Sequence, residues 1–249
     1  MAEQINFKVK SASEFTNFLK RFSSIESTLL LEIENGYLKA KTHTPERSVV
    51  KSSKIDMSQI FDMESAPATS QNILFGIFSV DKLTDAFKHF SETDVEFILK
   101  YENTADGMIG TEVILSSPSL KINFQCASLR LFTHITDEMM DRISNTETAP
   151  INFVLTKEHQ KRISSISTID SDHKLLTLDV NKGQVKVTGR SYDLSLMHID
   201  QPTDDVSISI YKNQFGFLDR EDAIAYLSGD RIVFSSIETE TKTIIGKAE

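Results

Sequence analysis

Side chains able to do chemistry are few in this chain, and their spacing does not suit it. The six histidines, His43, His89, His134, His159, His173 and His198, include no pair at His-x-x-x-His spacing, which would set two imidazoles on one helix face. Cys126 stands alone, so neither a disulfide framework nor a cysteine-based zinc site can form. Its alternating surroundings make it a small inward-facing hydrophobe. The acidic runs Asp170-Ser171-Asp172-His173 and Asp219-Arg220-Glu221-Asp222 lack the glycine and terminal glutamate of a calcium loop and read as turns. No Gly-x-Gly-x-x-Gly and no Gly-Lys-Ser/Thr is present to cradle a phosphate. The expectation is no catalytic residue, no metal ligand, no cofactor and no enzyme; a hydrolase with scattered carboxylates has no motif in its favour. What remains is the chemistry of fixed charge.

The elements that must position those charges repeat along the chain. Ile5-Asn6-Phe7-Lys8-Val9 alternates apolar and polar like a half-buried strand, and Ile151-Asn152-Phe153-Val154-Leu155 repeats the pattern. Each is followed by a helical segment and then by a hairpin, Leu31–Lys41 in one case and Leu178–Thr188 in the other. The turns Asn35-Gly36 and Lys182-Gly183 fall where a tight hairpin needs positive φ. Two further strand-to-helix starts begin at Ile73 and at Val206. The chain therefore reads as four strand–helix–strand units, paired into two duplicated halves. The expected class is α+β, with domains over 1–127 and 151–249 and a connector over 128–150. Further strands are expected at 95–101, 111–116, 120–126, 224–227, 231–236 and 241–245.

Helical stripes mark the faces. Phe15, Phe18, Leu19 and Phe22 fall at i, i+3, i+4 and i+7, with Ser11 and Glu14 as a capping-box signature. Leu83, Ala86, Phe87 and Phe90 repeat the spacing. A third helix is expected over 157–168 with Thr156 as its N-cap, and a fourth over 211–218 with Tyr211, Phe215 and Leu218 inward. The phenylalanine stripes are core positions.

Composition bounds the partners. The chain has 249 residues, 36 acidic against 27 basic, and a formal net charge of −9, which repels phosphate overall. No apolar run approaches the roughly 20 residues of a membrane helix, and the N-terminus carries no secretory signal pattern, so a cytoplasmic protein with no membrane partner is expected. The basic residues are not evenly spread. Lys10, Lys20 and Arg21 accompany Glu14 alone, and Lys157, Lys161 and Arg162 accompany Glu158 alone. Lysine and arginine populate solvated helix faces in any protein; the fourfold repeat is what gives the pattern weight.

On these features (the duplicated strand–helix–hairpin unit, the hairpin over 175–189 following the helix over 156–169, and basic helices on an acidic chain) the sequence resembles the DNA sliding clamps, most closely the T4-type bacteriophage processivity clamps. The resemblance implies the DNA-clamp fold, with helices on one face of the sheets, and a homotrimeric ring around double-stranded DNA that tethers a replicative DNA polymerase. It also implies a clamp loader as a partner, and the host cytoplasm as location if the protein is viral. Lys20, Arg21, Lys82, Lys88, Lys157, Lys161, Arg162 and Lys212 become the DNA-facing candidates. Leu131, Ile135, Met139, Met140, Ile244 and Ile245 become the partner-binding candidates, and the strands at 111–116 and 185–189 the ring-closing edges. The rival reading is a non-enzymatic structural protein of a phage particle built from duplicated β-rich domains. Concentrating Lys and Arg on the helices serves the clamp and not the particle.

Overall fold

The computed structural model describes residues 3–63, 72–90, 94–105, 107–200 and 205–248. The chain divides into two compact units, Met1–Thr42 with Ser52–Ile135, and His43–Lys51 with Thr136–Glu249. The expected connector over 128–150 is thus shared between them, and the short segment 43–51 belongs with the second unit.

In chain order the first unit contains β1 (Glu3–Val9), α1 (Ala12–Ser23), β2 (Leu29–Glu34), β3 (Tyr37–His43), β4 (Val49–Asp56), α2 (Met57–Ile60), β5 (Phe61–Asp62), β6 (Ile73–Ile77), α3 (Val80–Phe87), β7 (Glu96–Thr104), β8 (Gly107–Ser116) and β9 (Lys121–Gln125), with a 3-10 turn at Leu129–Leu131. The last residue of β3 and the first three of β4 fall in the second unit. Strand order runs β3-β2-β6-β8-β7-β1-β5, with β9 on the remaining side of β8. Among the described residues β6 runs parallel to β8, Ile73 meeting Met108, while β1, β2 and β9 pair antiparallel with their neighbours. Alternation along β1 sends Ile5, Phe7 and Val9 inward, and α1 lays Phe15, Phe18, Leu19 and Phe22 onto them. Phe7 stacks on Phe61 at 4.8 Å, while Phe15 meets Phe97 and Phe87 edge-on at 5.4 Å. Such pairs contribute about 0.5–1.5 kcal/mol each beyond the area they bury.

The second unit contains α4 (Asp137–Ile143), β10 (Ile151–Leu155), α5 (Lys157–Ser167), β11 (Leu175–Asn181), β12 (Gln184–Thr188), β13 (Asp193–His198), β14 (Val206–Tyr211), α6 (Lys212–Phe215), β15 (Ala223–Leu227), β16 (Arg231–Ser236) and β17 (Glu240–Gly246). Its strands run β10-β15-β16-β17 in one sheet and β13-β12-β11-β14 in another. The duplication is visible rung by rung. Phe7 lies opposite Phe97, Phe97 opposite Leu115 and Leu115 opposite Ile122. Phe153, Ala225, Phe234 and Thr243 form the same ladder in the second unit. Leu31 opposite Ala40 corresponds to Leu178 opposite Val187. Both hairpin turns take the expected left-handed backbone, with Asn35 and Gly36 at φ 51 and 80 and Lys182 and Gly183 at φ 47 and 80.

Three expectations need correction. The fourth helix is one turn long: the N–H of Gly216 closes it onto the carbonyls of Asn213 and Gln214. The chain then turns away, so that Phe217 O and the Asp219 carboxylate receive the Lys51 ammonium at 3.0 and 2.6 Å. That lysine is buried, its side chain 1% exposed. Secondly, 111–116 is no edge, because β8 is paired with β7 and β9 over those residues. Nor is 185–189, since β12 lies between β11 and β13. Among the described residues, the outer strands are β5 and β9 in the first unit and β10, β13 and β14 in the second. Thirdly, Ile122, Phe124 and Cys126 face inward as alternation requires but are only partly buried, because β9 is the outermost strand.

Candidate nucleic-acid interface

Helix α1 is fixed by its buried stripe, which leaves Asn17 and Lys20 exposed and Arg21 half-buried. Ser11 caps it, its hydroxyl accepting from the Glu14 N–H at 3.2 Å. With Glu14 in the first turn and Lys20 and Arg21 in the last, the charges also complement the helix dipole. Ser79 caps α3 in the same manner. Lys82 is exposed on it, and Lys88 follows it as C-cap residue. The Lys88 ammonium donates to Asp85 at 2.6 Å. Together with the charge of Lys20, that bond holds the Asp85 carboxyl below its ordinary range. The packing of α1 on α3 thus brings Lys20, Lys88 and Asp85 to one surface.

Helix α5 presents the stronger basic face. Thr156 and His159 form a reciprocal capping box, and the Lys157 N–H donates to the Asp222 carboxylate at 2.7 Å. Gln160 and Ile163 are buried, and the Gln160 amide donates to Glu221 O at 2.6 Å. This anchors one face and leaves Lys157, Lys161 and Arg162 exposed on the other. Lys161 reaches Glu158 at 3.0 Å, both about two-thirds exposed. An exposed pair of this kind is worth about 0–1 kcal/mol, so either lysine or arginine can turn to an arriving phosphate at little cost.

Lys212 does not join them. Its ammonium donates to the carbonyls of Ser167 and Asp170 at 3.1 and 2.6 Å, closing the C-terminal end of α5. Asp170 in turn accepts from the Ser191 N–H at 2.7 Å, which holds its carboxyl below the ordinary range, the charge of Lys212 adding to the effect. The fourth expected basic helix is therefore a brace for the third. With α3 carrying Asp81 and Asp85 against Lys82, the basic excess resides on α1 and α5.

The partner-binding candidates separate by burial. Leu131 is 63% and Met139 45% exposed. Ile135, Met140, Ile244 and Ile245 are buried, so they are core and offer no side-chain surface. Ile244 and Ile245 are consecutive in β17, which is therefore covered on both faces. A shallow cavity in the first unit is formed by Thr133, His134 and Ile135 over Lys39, Ala40 and Lys41, with Lys41 Nζ donating to Ile135 O at 3.2 Å. The contribution of the β3 residues was missed in the sequence; its signal is the alternation of Lys39, Ala40 and Lys41. A larger cavity of about 230 Å³ lies between the start of α3 and β9, lined by Phe78, Lys82, Leu83, Phe124 and Cys126 among others. Among the described residues, no three His, Cys, Asp or Glu side chains gather as a metal site would require, and no helix is long and apolar enough to cross a membrane.

No family model matches the chain, and no curated protein matches its sequence. Solved structures do match its fold. Proliferating Cellular Nuclear Antigen (PCNA) from Entamoeba histolytica is similar at TM-score 0.66 over 99% of this chain and 98% of its own, with 13% identity. The PCNA2–PCNA3 complex from Sulfolobus tokodaii is similar at 0.65 over 98% and 99%, with 12% identity. A. fulgidus PCNA, solved with the C-terminal region of FEN-1 bound, is similar at 0.63 over 98% and 97%, with 11% identity. The chain has the fold of the PCNA-type sliding clamps along its whole length.

Proposed function

We propose that the protein is a sliding clamp, a non-enzymatic ring of three identical chains that encircles duplex DNA and tethers a replicative DNA polymerase. The single observation that carries this reading is the pairing of an end-to-end clamp fold with exposed lysine and arginine concentrated on α1 and α5 of an acidic chain. Such a ring works by topology. It stays on DNA because it surrounds it, so its lining needs only a shallow, sequence-independent attraction to phosphate. Lys20, Arg21, Lys82, Lys88, Lys157, Lys161 and Arg162 supply that attraction, and none of them reads a base. The acidic remainder of the chain disfavours DNA elsewhere.

Polymerase and clamp loader dock, on the same reading, through exposed apolar side chains, of which Leu131 is the candidate in the first unit and Met139 the candidate in the second. The kinship with T4-type phage clamps and a place in the host cytoplasm belong to this proposal and rest on the repeat and the charge distribution. No observation favours the phage-particle alternative.

The test is a joint charge reversal of Lys20, Arg21, Lys161 and Arg162 to Glu. Primer extension on long templates should lose its stimulation by the protein, while light scattering still gives the mass of three chains. Retained stimulation would refute the lining, and a persistent monomer of the unaltered protein under crosslinking at high concentration would refute the ring.

A further inference from the structure

Two of the helices that carry DNA-facing candidates hold a carboxylate among those cations. On α3 the Asp85 carboxylate receives the Lys88 ammonium at 2.6 Å, both about two-thirds exposed. Lys20 and His89 also stand close enough to act on it. On α5 Glu158 receives Lys161 at 3.0 Å with the same exposure, and Lys157 precedes it while Arg162 lies four residues on. In both cases the acid stands three residues ahead of the lysine, a spacing that makes helix neighbours. Glu158 lies in the first turn of its helix, where an acid suits the dipole. Asp85 has no such reason to be there. It falls in the last turn of α3, where the dipole disfavours an acid, and an exposed ion pair adds little stability. A surface made for holding phosphate tightly would carry neither residue.

We infer that Asp85 and Glu158 limit the grip of the lining on DNA, each competing with phosphate for one lysine, Lys88 and Lys161 respectively. This rests on the clamp reading above. An ammonium has three donors and no acceptor, and carboxylate and phosphate oxygens offer it the same kind of charged acceptor. A lysine that leaves one phosphate therefore returns to its carboxylate before it meets the next. The exchange lies near balance, because both ion pairs are exposed and weak. The carboxylate is also ready for it. The hydrogen bond from Lys88 holds the Asp85 carboxyl below its ordinary range, and the charges of Lys88 and Lys20 add to the effect, so the group stays ionised. Without the acid, Lys20 and Lys88 would face the duplex with nothing to draw them off. A ring is kept on DNA by its closure, so the stronger grip would add nothing to retention and would slow sliding. Asp85 and Glu158 are thus positioning residues that act through their lysines.

A salt titration of binding to a short linear duplex tests the competition with the protein alone. Asp85→Asn with Glu158→Gln should tighten binding about fivefold. The salt dependence should steepen as well, by about 0.9 in the slope for each lysine released to a phosphate. Glu102→Gln with Glu238→Gln makes the same change in net charge at exposed positions off the helices and should move neither quantity. With Lys88→Gln and Lys161→Gln already in place, neutralising the two acids should no longer matter. Equal tightening by the control pair, an unchanged slope, or an effect that survives the loss of both lysines would overturn the competition and leave the lining intact. Weaker binding by the Asp85→Asn, Glu158→Gln protein would overturn it too, as the mark of a structural role. Salt-insensitive binding by the unaltered protein would overturn the lining and the competition together.

Discussion

Lys212 and Lys161 are alike in charge and answer to different partners. Lys161 stands in solvent beside Glu158, whereas Lys212 is half-buried and donates to the carbonyls of Ser167, the last residue of α5, and of Asp170 just beyond it. Lys212→Met should therefore cost about 1–2 kcal/mol of stability by urea denaturation, and Lys161→Met should stay within about 0.5 kcal/mol. Equal losses would refute the brace. The sequence distinguishes the two poorly, because a lysine near an apolar stripe looks the same whether its helix continues or stops after one turn. The exposure of Lys20, Lys157, Lys161 and Arg162 was legible because they lie opposite a buried stripe long enough to fix a face. The burial of Ile244 and Ile245 was not legible, because they became candidates through the resemblance alone, and in β17 both sides of the strand are covered.

Among the elements, β1, β6, β10 and both Gly-turn hairpins were legible because alternation and turn chemistry agreed. Strand β4 escaped notice because its inward positions include Lys51 and Ser53, polar residues that blur the period. Strand β13 escaped because the register shifts between Val185 and Lys186 on its neighbour, which breaks the alternation of Leu194, Leu196 and Met197. Edge position was invisible for a deeper reason, since an outer strand and a central one can share the same alternation and differ only in what pairs with them. Cys126 reports that position. Burial pushes its thiol up to about 12 from an ordinary 9.0, with the negative charge of Glu112 adding to the shift. Alkylation at pH 8 should then run about tenfold or more slower than for a free thiol and recover on unfolding. Between pH 9 and about 12 the folded protein keeps a proton that the unfolded chain has lost, so this group's contribution to stability declines as pH rises through that window. Rapid labelling of the native protein would contradict the burial.

At the scale of the whole molecule, a chain of net charge −9 binds a polyanion only through a local concentration of cations. Affinity for a short linear duplex, which a ring can slip off, should fall by at least about tenfold between 50 and 200 mM salt, with the native mass unchanged over the same range. Salt-insensitive binding would mean that the contact is not ionic. The duplication was legible from end to end because the strand and hairpin patterns recur in sequence, whereas the shortening of its fourth helix was not, because that depends on where Gly216 turns the chain. One consequence concerns the history open to this chain. The buried ammonium of Lys51 is held by Asp219, and removing either group alone strands a charge in the interior at a cost of about 3–5 kcal/mol, a large part of the 5–15 kcal/mol that keeps a typical domain folded. Descendants of this sequence must therefore change positions 51 and 219 together or change neither, a bottleneck that ties a residue in one arm of the chain to another far along it.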